Sequence, residues 1–183
     1  MNTDQVGTFF ALLAIIAGAG ALGVLALTLA WRGTERLAEL RSTQWHTAML
    51  AASIVAFAST LGSLYLSEVA HFTPCNMCWY QRIAMYPIGP LLLVAWFRRD
   101  TAIKLYMLSL ACAGALISTY HVLIEIFPSL ESSTTCGAIV SCTTSPITPL
   151  GGAFSVPRMA LCGFAAIIAA LSLVPATQAV QPD

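Results

Sequence analysis

The chain has 183 residues, of which 58% are hydrophobic and 9% are charged, whereas about 25% of the residues in a typical soluble domain are charged. Its eight Lys and Arg residues balance eight Asp and Glu residues, so the chain has no basic excess with which to bind nucleic acid. So few charges cannot cover the surface of a soluble domain, and so apolar a chain does not stay disordered. We therefore expect an integral membrane protein.

Five stretches are long and apolar enough to cross a bilayer, which takes about 20 residues as a helix. In chain order they cover residues 6–31, 47–70, 79–97, 103–127 and 157–175. The first stretch lacks the basic start of a secretory signal peptide and its apolar run is too long for one, so we interpret it as a retained anchor. The predicted fold class is an all-α integral membrane protein.

The positions of the basic residues predict how the spans are oriented. Two of the predicted connections carry most of the cations: Arg32, Arg36, Arg41, Arg98, Arg99 and Lys104. The connections 71–78 and 128–156 contain no Lys or Arg. Because basic loops stay on the cytoplasmic side, we expect these two loops and the N-terminus outside and the C-terminus in the cytoplasm. Residues 32–41 alternate in charge sign, which favours a solvated linker over a short surface helix.

The six cysteines divide into two groups by location. Two lie within spans, where Cys packs as a small apolar residue: Cys112 and Cys162. Four lie on the predicted outer side: Cys75, Cys78, Cys136 and Cys142. Paired thiols outside a cell membrane usually become disulfides. They could be structural staples, a four-cysteine zinc site or a redox relay. A Cys-x-x-Cys ring closes so little chain that it removes little entropy from the unfolded state, which favours the redox relay.

The first cysteine pair lies at the outer, N-terminal end of the third span. The helix dipole and the free N–H groups there favour an anion, which we expect to be the thiolate of Cys78. Arg82 is four residues further on and shares a helix face with Cys78. It could snorkel to the headgroups, but its spacing from the cysteine favours a functional role.

The electrons released when a dithiol is oxidised need an acceptor. The chain carries no motif for haem attachment, dinucleotide binding or an iron–sulfur cluster. A quinone dissolved in the bilayer is the remaining candidate, and a nearby arginine would stabilise its anionic reduced oxygen.

The segment Cys75-Asn-Met-Cys78-Trp-Tyr-Gln-Arg82, followed by a span, resembles the DsbB/BdbC disulfide bond formation proteins. Tyr120-His121, Phe127-Pro128-Ser129 and the run 152–157 follow in the same order as in that family. The resemblance covers residues 44–174. It implies a four-helix transmembrane bundle plus one extra N-terminal transmembrane helix. Residues 1–43 would form that helix and a charged cytoplasmic linker, and residues 44–183 the DsbB-like domain with outer loops 71–78 and 128–156.

The resemblance also implies a function: a quinone-dependent thiol oxidase of the bacterial plasma membrane. Its partner would be a DsbA-like thioredoxin-fold protein, whose thiol would attack Cys136. Cys142 would then exchange with Cys75. Cys78 would lie beside the quinone, either ubiquinone or menaquinone, with Arg82 at a quinone oxygen and His121 near the same site. No metal is implied.

Two features depart from the family's usual pattern. The extra first span carries Gly18, Gly20 and Gly23, a small-residue face suited to close helix contact or simply the glycine common in membrane helices. The spacing between Cys136 and Cys142 is short, which raises the question of whether this pair can reach Cys75. Three rival functions remain open: a reductase like vitamin K epoxide reductase, a structural membrane subunit stapled by disulfides, and a metal-handling protein.

Overall fold

The computed structural model is mostly helical in the part of the chain that it describes, which is residues 3–131, 136, 141–143, 147, 149–152 and 154–175. Its six α-helices in these ranges are α1 Thr3–Ala30, α2 Glu35–Leu64, α3 Asn76–Met85, α4 Ile88–Arg98, α5 Lys104–Ile126 and α6 Val156–Ser172. No strand occurs within these ranges, so the all-α fold class is confirmed. Much of the predicted outer loop 128–156, and residues 176–183, lie outside them.

Among the described residues, three helical segments are long and apolar enough to cross a membrane: Thr3–Ala30, Glu35–Val69 and Lys104–Ile126. They correspond to the first, second and fourth predicted spans. The fifth predicted span is the shorter apolar helix α6. Together these helices make the chain a helical membrane protein.

The third predicted span, residues 79–97, is two helices instead of one. Helix α3 ends at Met85 and α4 begins at Ile88, because Pro87 has no N–H group with which to continue the hydrogen-bond ladder. Tyr86 and Pro87 nevertheless keep right-handed helical backbone angles. The two helices therefore continue one another, and the span has a local weakness at its centre.

Helix α6 lies at the centre of the bundle, in contact with α1, α2 and α5. Helix α2 also packs on α4, and α3 packs on α5. Phe164 and Ile167 of α6 are completely buried. Phe164 lies directly against Gly114 of α5, where even a Cβ atom would overlap its ring. The absence of a side chain at Gly114 therefore sets how closely α5 and α6 approach.

Helix α1 packs along α6 outside the four other spans. Of its three candidate glycines, Gly18 makes a close contact, since a Cβ there would lie 3.0 Å from Cys162 Sγ. At Gly20 and Gly23 a Cβ would meet nothing within 4 Å. Cys162 is thus a packing residue, as expected, whereas Cys112 is exposed on the bundle surface.

The basic residues gather at one end of the bundle. Arg41 Nε donates to the carbonyl of Ser172 at 3.2 Å, and Lys104 Nζ donates to the carbonyl of Val174. Both carbonyls lie at the end of α6, so the two basic connections share one end. His46 stacks on Trp96 at this end, with ring centroids 4.8 Å apart, and is half-buried.

The linker predicted over residues 32–41 is wrong for most of its length, because α2 already begins at Glu35. Strong helix formers fill this stretch, and Glu35 in the first turn complements the helix dipole. Leu37 is 5% exposed. The segment with alternating charges is therefore helical here, because the helix buries Leu37 while most of the charged side chains in this stretch stay exposed.

We expect Gly114→Ala to destabilise the bundle. Overpacking of a buried site costs about 1–3 kcal/mol, which offsets the gain of about 1 kcal/mol in helix propensity. Gly20→Ala is the matched control, because its new methyl group enters open space. Thermal unfolding in detergent, followed by circular dichroism, should show a lower Tm for Gly114→Ala and an unchanged or higher Tm for Gly20→Ala. Equal Tm values would contradict the close packing described for α5 and α6.

Candidate functional site

The first cysteine pair lies where the chain turns from α2 into α3. Helix α2 ends in a π-helical turn, Tyr65–Val69, and Cys75 is the N-cap residue of α3. Cys75 has an extended backbone, and its Sγ accepts a hydrogen bond from the N–H of Cys78 at 3.3 Å. The sulfur thus takes the position that a capping oxygen usually occupies.

The two sulfurs of this pair form a dithiol. Cys75 Sγ and Cys78 Sγ are 2.8 Å apart and hydrogen-bonded, and both cysteines are free. The hydrogen bond from Cys78, assisted by His121 and opposed by burial, lowers the pKa of Cys75 from 9.0 to about 4. The backbone N–H of Cys78 and the imidazole of His121 thus stabilise a thiolate on Cys75, whereas we expected it on Cys78. The N-terminus of α3 does stabilise the anion as expected, but the stabilised sulfur is that of Cys75, the N-cap residue.

His121, predicted at this site, comes from α5 and is 2% exposed. Its Nε2 lies 3.9 Å from Cys75 Sγ, and its Nδ1 lies 3.2 Å from the amide nitrogen of Gln81. An amide nitrogen can only donate, so Nδ1 accepts and the ring proton is on Nε2, directed at Cys75. Gln81 was missed by the sequence interpretation, although it belongs to the segment from Cys75 to Arg82 on which the family resemblance rests.

Arg82 lies one turn beyond Cys78 on α3, as the spacing predicted. Its Nη2 donates to the carbonyl of Ser63 at 3.0 Å, and its guanidinium carbon lies 5.3 Å from the centre of the Trp79 ring. Tyr86, a further turn along, donates to the Ser63 hydroxyl at 3.3 Å. The hydrogen bond to Ser63 therefore holds the Arg82 side chain against α2. This contact argues against the alternative in which Arg82 extends freely to the lipid headgroups.

The second cysteine pair is a disulfide between Cys136 and Cys142. Both residues are almost completely buried. Glu131 positions Cys142, since its Oε1 accepts a hydrogen bond from the N–H of Cys142 at 2.7 Å. Glu131 was not predicted and had no sequence signal beyond its place in the loop.

The two cysteine pairs meet. One ligand atom each of Cys75, His121 and Cys142 lie within 4.8 Å of one another, so the sulfurs of Cys75 and Cys142 are close neighbours. The short spacing of the second pair therefore does not keep it from reaching the first. These three atoms could also form part of a metal site. In this state, however, the sulfur of Cys142 is bonded to Cys136 and is not a thiolate ligand.

Glu125 lies one turn beyond His121 on α5, but it is paired with residues at the start of α6. Its Oε2 accepts a hydrogen bond from Ser155 at 2.7 Å and lies 3.9 Å from Arg158 Nε. The ring nitrogens of His121 face Cys75 and Gln81 instead. Glu125 thus ties α5 to the start of α6.

A cavity of about 480 Å³ lies beside the cysteine pairs. One end carries the polar and reactive groups, among them Cys78, Arg82 and His121. The rest of its wall is mostly apolar and comes from α1, α2 and α6. Such a cavity suits a largely apolar ligand with one polar end.

Comparison with known proteins identifies the family. Residues 44–174 match the profile of the family described as "Disulfide bond formation protein DsbB". The chain belongs to the DsbB family. It is therefore a disulfide oxidoreductase, which excludes a purely structural subunit.

Curated relatives carry names that agree with the DsbB family. Disulfide bond formation protein C of Bacillus subtilis (strain 168) is 40% identical over 126 residues, which are 69% of this chain and 91% of that protein. A probable disulfide formation protein of Deinococcus radiodurans is 38% identical over 149 residues, covering 74% of this chain and 97% of the relative. No solved structure matches the chain significantly.

The lowered pKa of Cys75 can be tested by titration of the reduced protein. Because that pKa is about 4, we expect one thiolate to be present at neutral pH and to be protonated only as the pH falls through about 4. Thiolate absorbance in the ultraviolet measures it. Cys78→Ala removes the largest stabilising contact, so the titration should move upward by several pH units. Cys112→Ser is the control, and a midpoint near 9 in the wild type would contradict the proposed thiolate.

Proposed function

We propose that the chain reoxidises a DsbA-like thioredoxin-fold protein outside the bacterial plasma membrane and passes two electrons to a membrane quinone. The observation that carries this proposal is the contact between the two cysteine pairs. The sulfur of Cys142, within a disulfide, lies within 4.8 Å of that of Cys75, and Cys75 belongs to a dithiol beside a largely apolar cavity.

The exchange between the pairs balances as four successive thiol–disulfide exchanges. The partner's thiolate attacks Cys136 and breaks its bond to Cys142. The freed thiolate of Cys142 attacks Cys75 of the oxidised inner pair and releases the thiolate of Cys78. The partner's second thiol then closes the partner's own disulfide and releases Cys136, which attacks Cys142 and frees Cys75. The result is an outer disulfide with an inner dithiol, and the arrangement in the structure corresponds to that state.

The low pKa of Cys75 suits both of its roles in this exchange. A thiol of low pKa leaves readily from a disulfide, so Cys75 is a good leaving group when Cys136 attacks Cys142. It then stays deprotonated and ready to re-form its disulfide with Cys78. His121 Nε2–H stabilises this thiolate, and Gln81 keeps the imidazole in the donating tautomer.

The residues around the cavity fit a quinone. Its apolar wall suits a prenyl tail, and the polar end offers the guanidinium of Arg82. A bound quinone supplies the chemistry of a two-electron, two-proton acceptor. With a quinone bound, Cys75 and Cys78 would give up those electrons as they form their disulfide, and Arg82 would stabilise negative charge on an oxygen at its end of the cavity.

We also propose the membrane orientation from the charge distribution. The basic end of the bundle, which holds Arg41 and Lys104, faces the cytoplasm, and the cysteine end faces outward. Residues 1–43 then supply the extra N-terminal helix and the cytoplasmic start of α2. Residues 44–183 form the DsbB-like domain.

The direct test mixes the purified protein with a reduced DsbA-type partner and oxidised ubiquinone or menaquinone. We expect quinone consumption that requires both proteins and disappears with Cys78→Ser. Cys136→Ser should abolish oxidation of the partner but keep quinone reduction driven by dithiothreitol, because a small thiol can reduce the inner pair directly. Cys112→Ser, on the exposed face of α5, is the control that stays active. If neither quinone is consumed by protein with intact outer cysteines, the proposal fails.

Arg82 can be tested separately from the thiols. We expect Arg82→Gln to lower kcat for quinone reduction on the order of 10²-fold, the loss typical of removing one group that stabilises an oxyanion. Arg82→Lys should recover part of the rate, since it restores the charge but not the guanidinium geometry. Arg98→Gln, at the opposite end of the bundle, is the charge-matched control. An unchanged rate in Arg82→Gln would leave the arginine a purely structural role.

A further inference from the structure

Helix α1 forms one wall of the cavity, although it lies outside the family match, which begins at residue 44. Its cavity-lining residues include Phe10, Leu13, Ala14 and Ala17. We propose that α1 recognises the apolar tail of the quinone, and that the crevice between α1 and α2 is the lateral entrance from the lipid. This inference rests on the proposed quinone reduction and adds a tail-binding element to it.

The cavity is long enough to hold a tail as well as a head group. On α2 its lining runs from Ser63, near Arg82, back to Ile54. Nine residues of helix at 1.5 Å each span about 13 Å. On α1 the lining extends from Val6 to Ala17, about 16 Å by the same rise. The apolar part of the cavity therefore extends from the reactive end well into the depth of the membrane.

The same cavity faces lipid between α1 and α2. Helix α1 packs along α6, and it meets α2 near the cysteine end, where the Phe10 ring fills the space beside Gly62. Deeper in the bundle, the lining residues Ile16 and Ile54 are 69% and 58% exposed. In a bilayer these exposed side chains touch acyl chains, so a lipid-soluble molecule can enter there without passing through water.

Selection by α1 depends on shape. A tail that leaves lipid for an apolar groove gains little hydrophobic free energy, because lipid is as apolar as the groove. The groove instead provides close van der Waals packing around the tail. The small side chains of Ala14 and Ala17 on α1 and Ala58 on α2 leave space for the tail. A bulky side chain at these positions would fill the groove and leave the distant reactive end intact.

The test compares Ala17→Trp with Ala19→Trp, a matched control on the same helix whose side chain is exposed and does not line the cavity. Quinone reduction is driven by dithiothreitol, with a long-tailed ubiquinone and a tail-less analogue. We expect Ala17→Trp to raise the ratio of the two KM values, tailed over tail-less, by about tenfold, and Ala19→Trp to leave that ratio unchanged. Ala58→Trp against Ala51→Trp repeats the comparison on α2 if Ala17→Trp does not fold.

A second readout is independent of turnover. A ubiquinone analogue with a photoreactive diazirine on its tail should cross-link to residues 10–17 of α1, and excess unlabelled ubiquinone should prevent this. Cross-links confined to other helices, or equal KM ratios in Ala17→Trp and Ala19→Trp, would overturn the role of α1 while leaving quinone reduction established. A wild-type protein that reduces neither quinone would instead overturn the proposed function itself.

Discussion

The cysteine end of the structure depends on stabilising a thiolate that is buried at the start of α3. Cys75 is 5% exposed, and burial alone would favour its neutral thiol. Three donors reverse that preference: the thiol of Cys78, the backbone N–H of Cys78 and the imidazole of His121. Because His121 belongs to α5 and both cysteines to the start of α3, the thiolate is stable only while these two helices stay packed together. Both the stability of the bundle and the redox chemistry therefore require α3 and α5 to stay packed against each other.

This requirement explains why polar residues lie so deep in an otherwise apolar bundle. Gln81 holds the tautomer of His121, Ser63 holds the side chain of Arg82, and Ser155 holds Glu125. Each of these groups would be costly to bury without a partner, and each has one on a neighbouring helix. The polar network thus fixes how α2, α3, α5 and α6 meet at the cysteine end, while apolar side chains such as Phe164 fill the rest of the bundle.

The sequence predicts the features that depend on local composition. Apolar runs predict the spans, the clustered cations predict that the two basic connections share one end, and the Cys-x-x-Cys motif with its family resemblance predicts the site. Contacts between side chains on different helices do not depend on local composition. Nothing in the spacing shows that Gln81 faces His121 across two helices, or that Glu131 binds the backbone of Cys142. The break at Pro87 could have been predicted from its missing N–H group, but the long apolar run 79–97 led us to predict one continuous span. The dipole argument favoured Cys78 for the thiolate because it does not say which cysteine is the N-cap residue, and in the structure that residue is Cys75.

The burial of the outer disulfide has a consequence for partner recognition. Cys136 is 1% exposed, yet a thiolate must approach a disulfide sulfur directly to attack it. In the proposed exchange, the partner would have to uncover Cys136 as it docks, and the binding free energy of docking would support that opening. Small thiols, which bind little surface, gain no such help, so the burial of Cys136 favours a folded protein as the donor. Glu131 holds the other sulfur of the pair close to Cys75, so the outer disulfide can open toward the partner at Cys136 while Cys142 stays beside the inner pair.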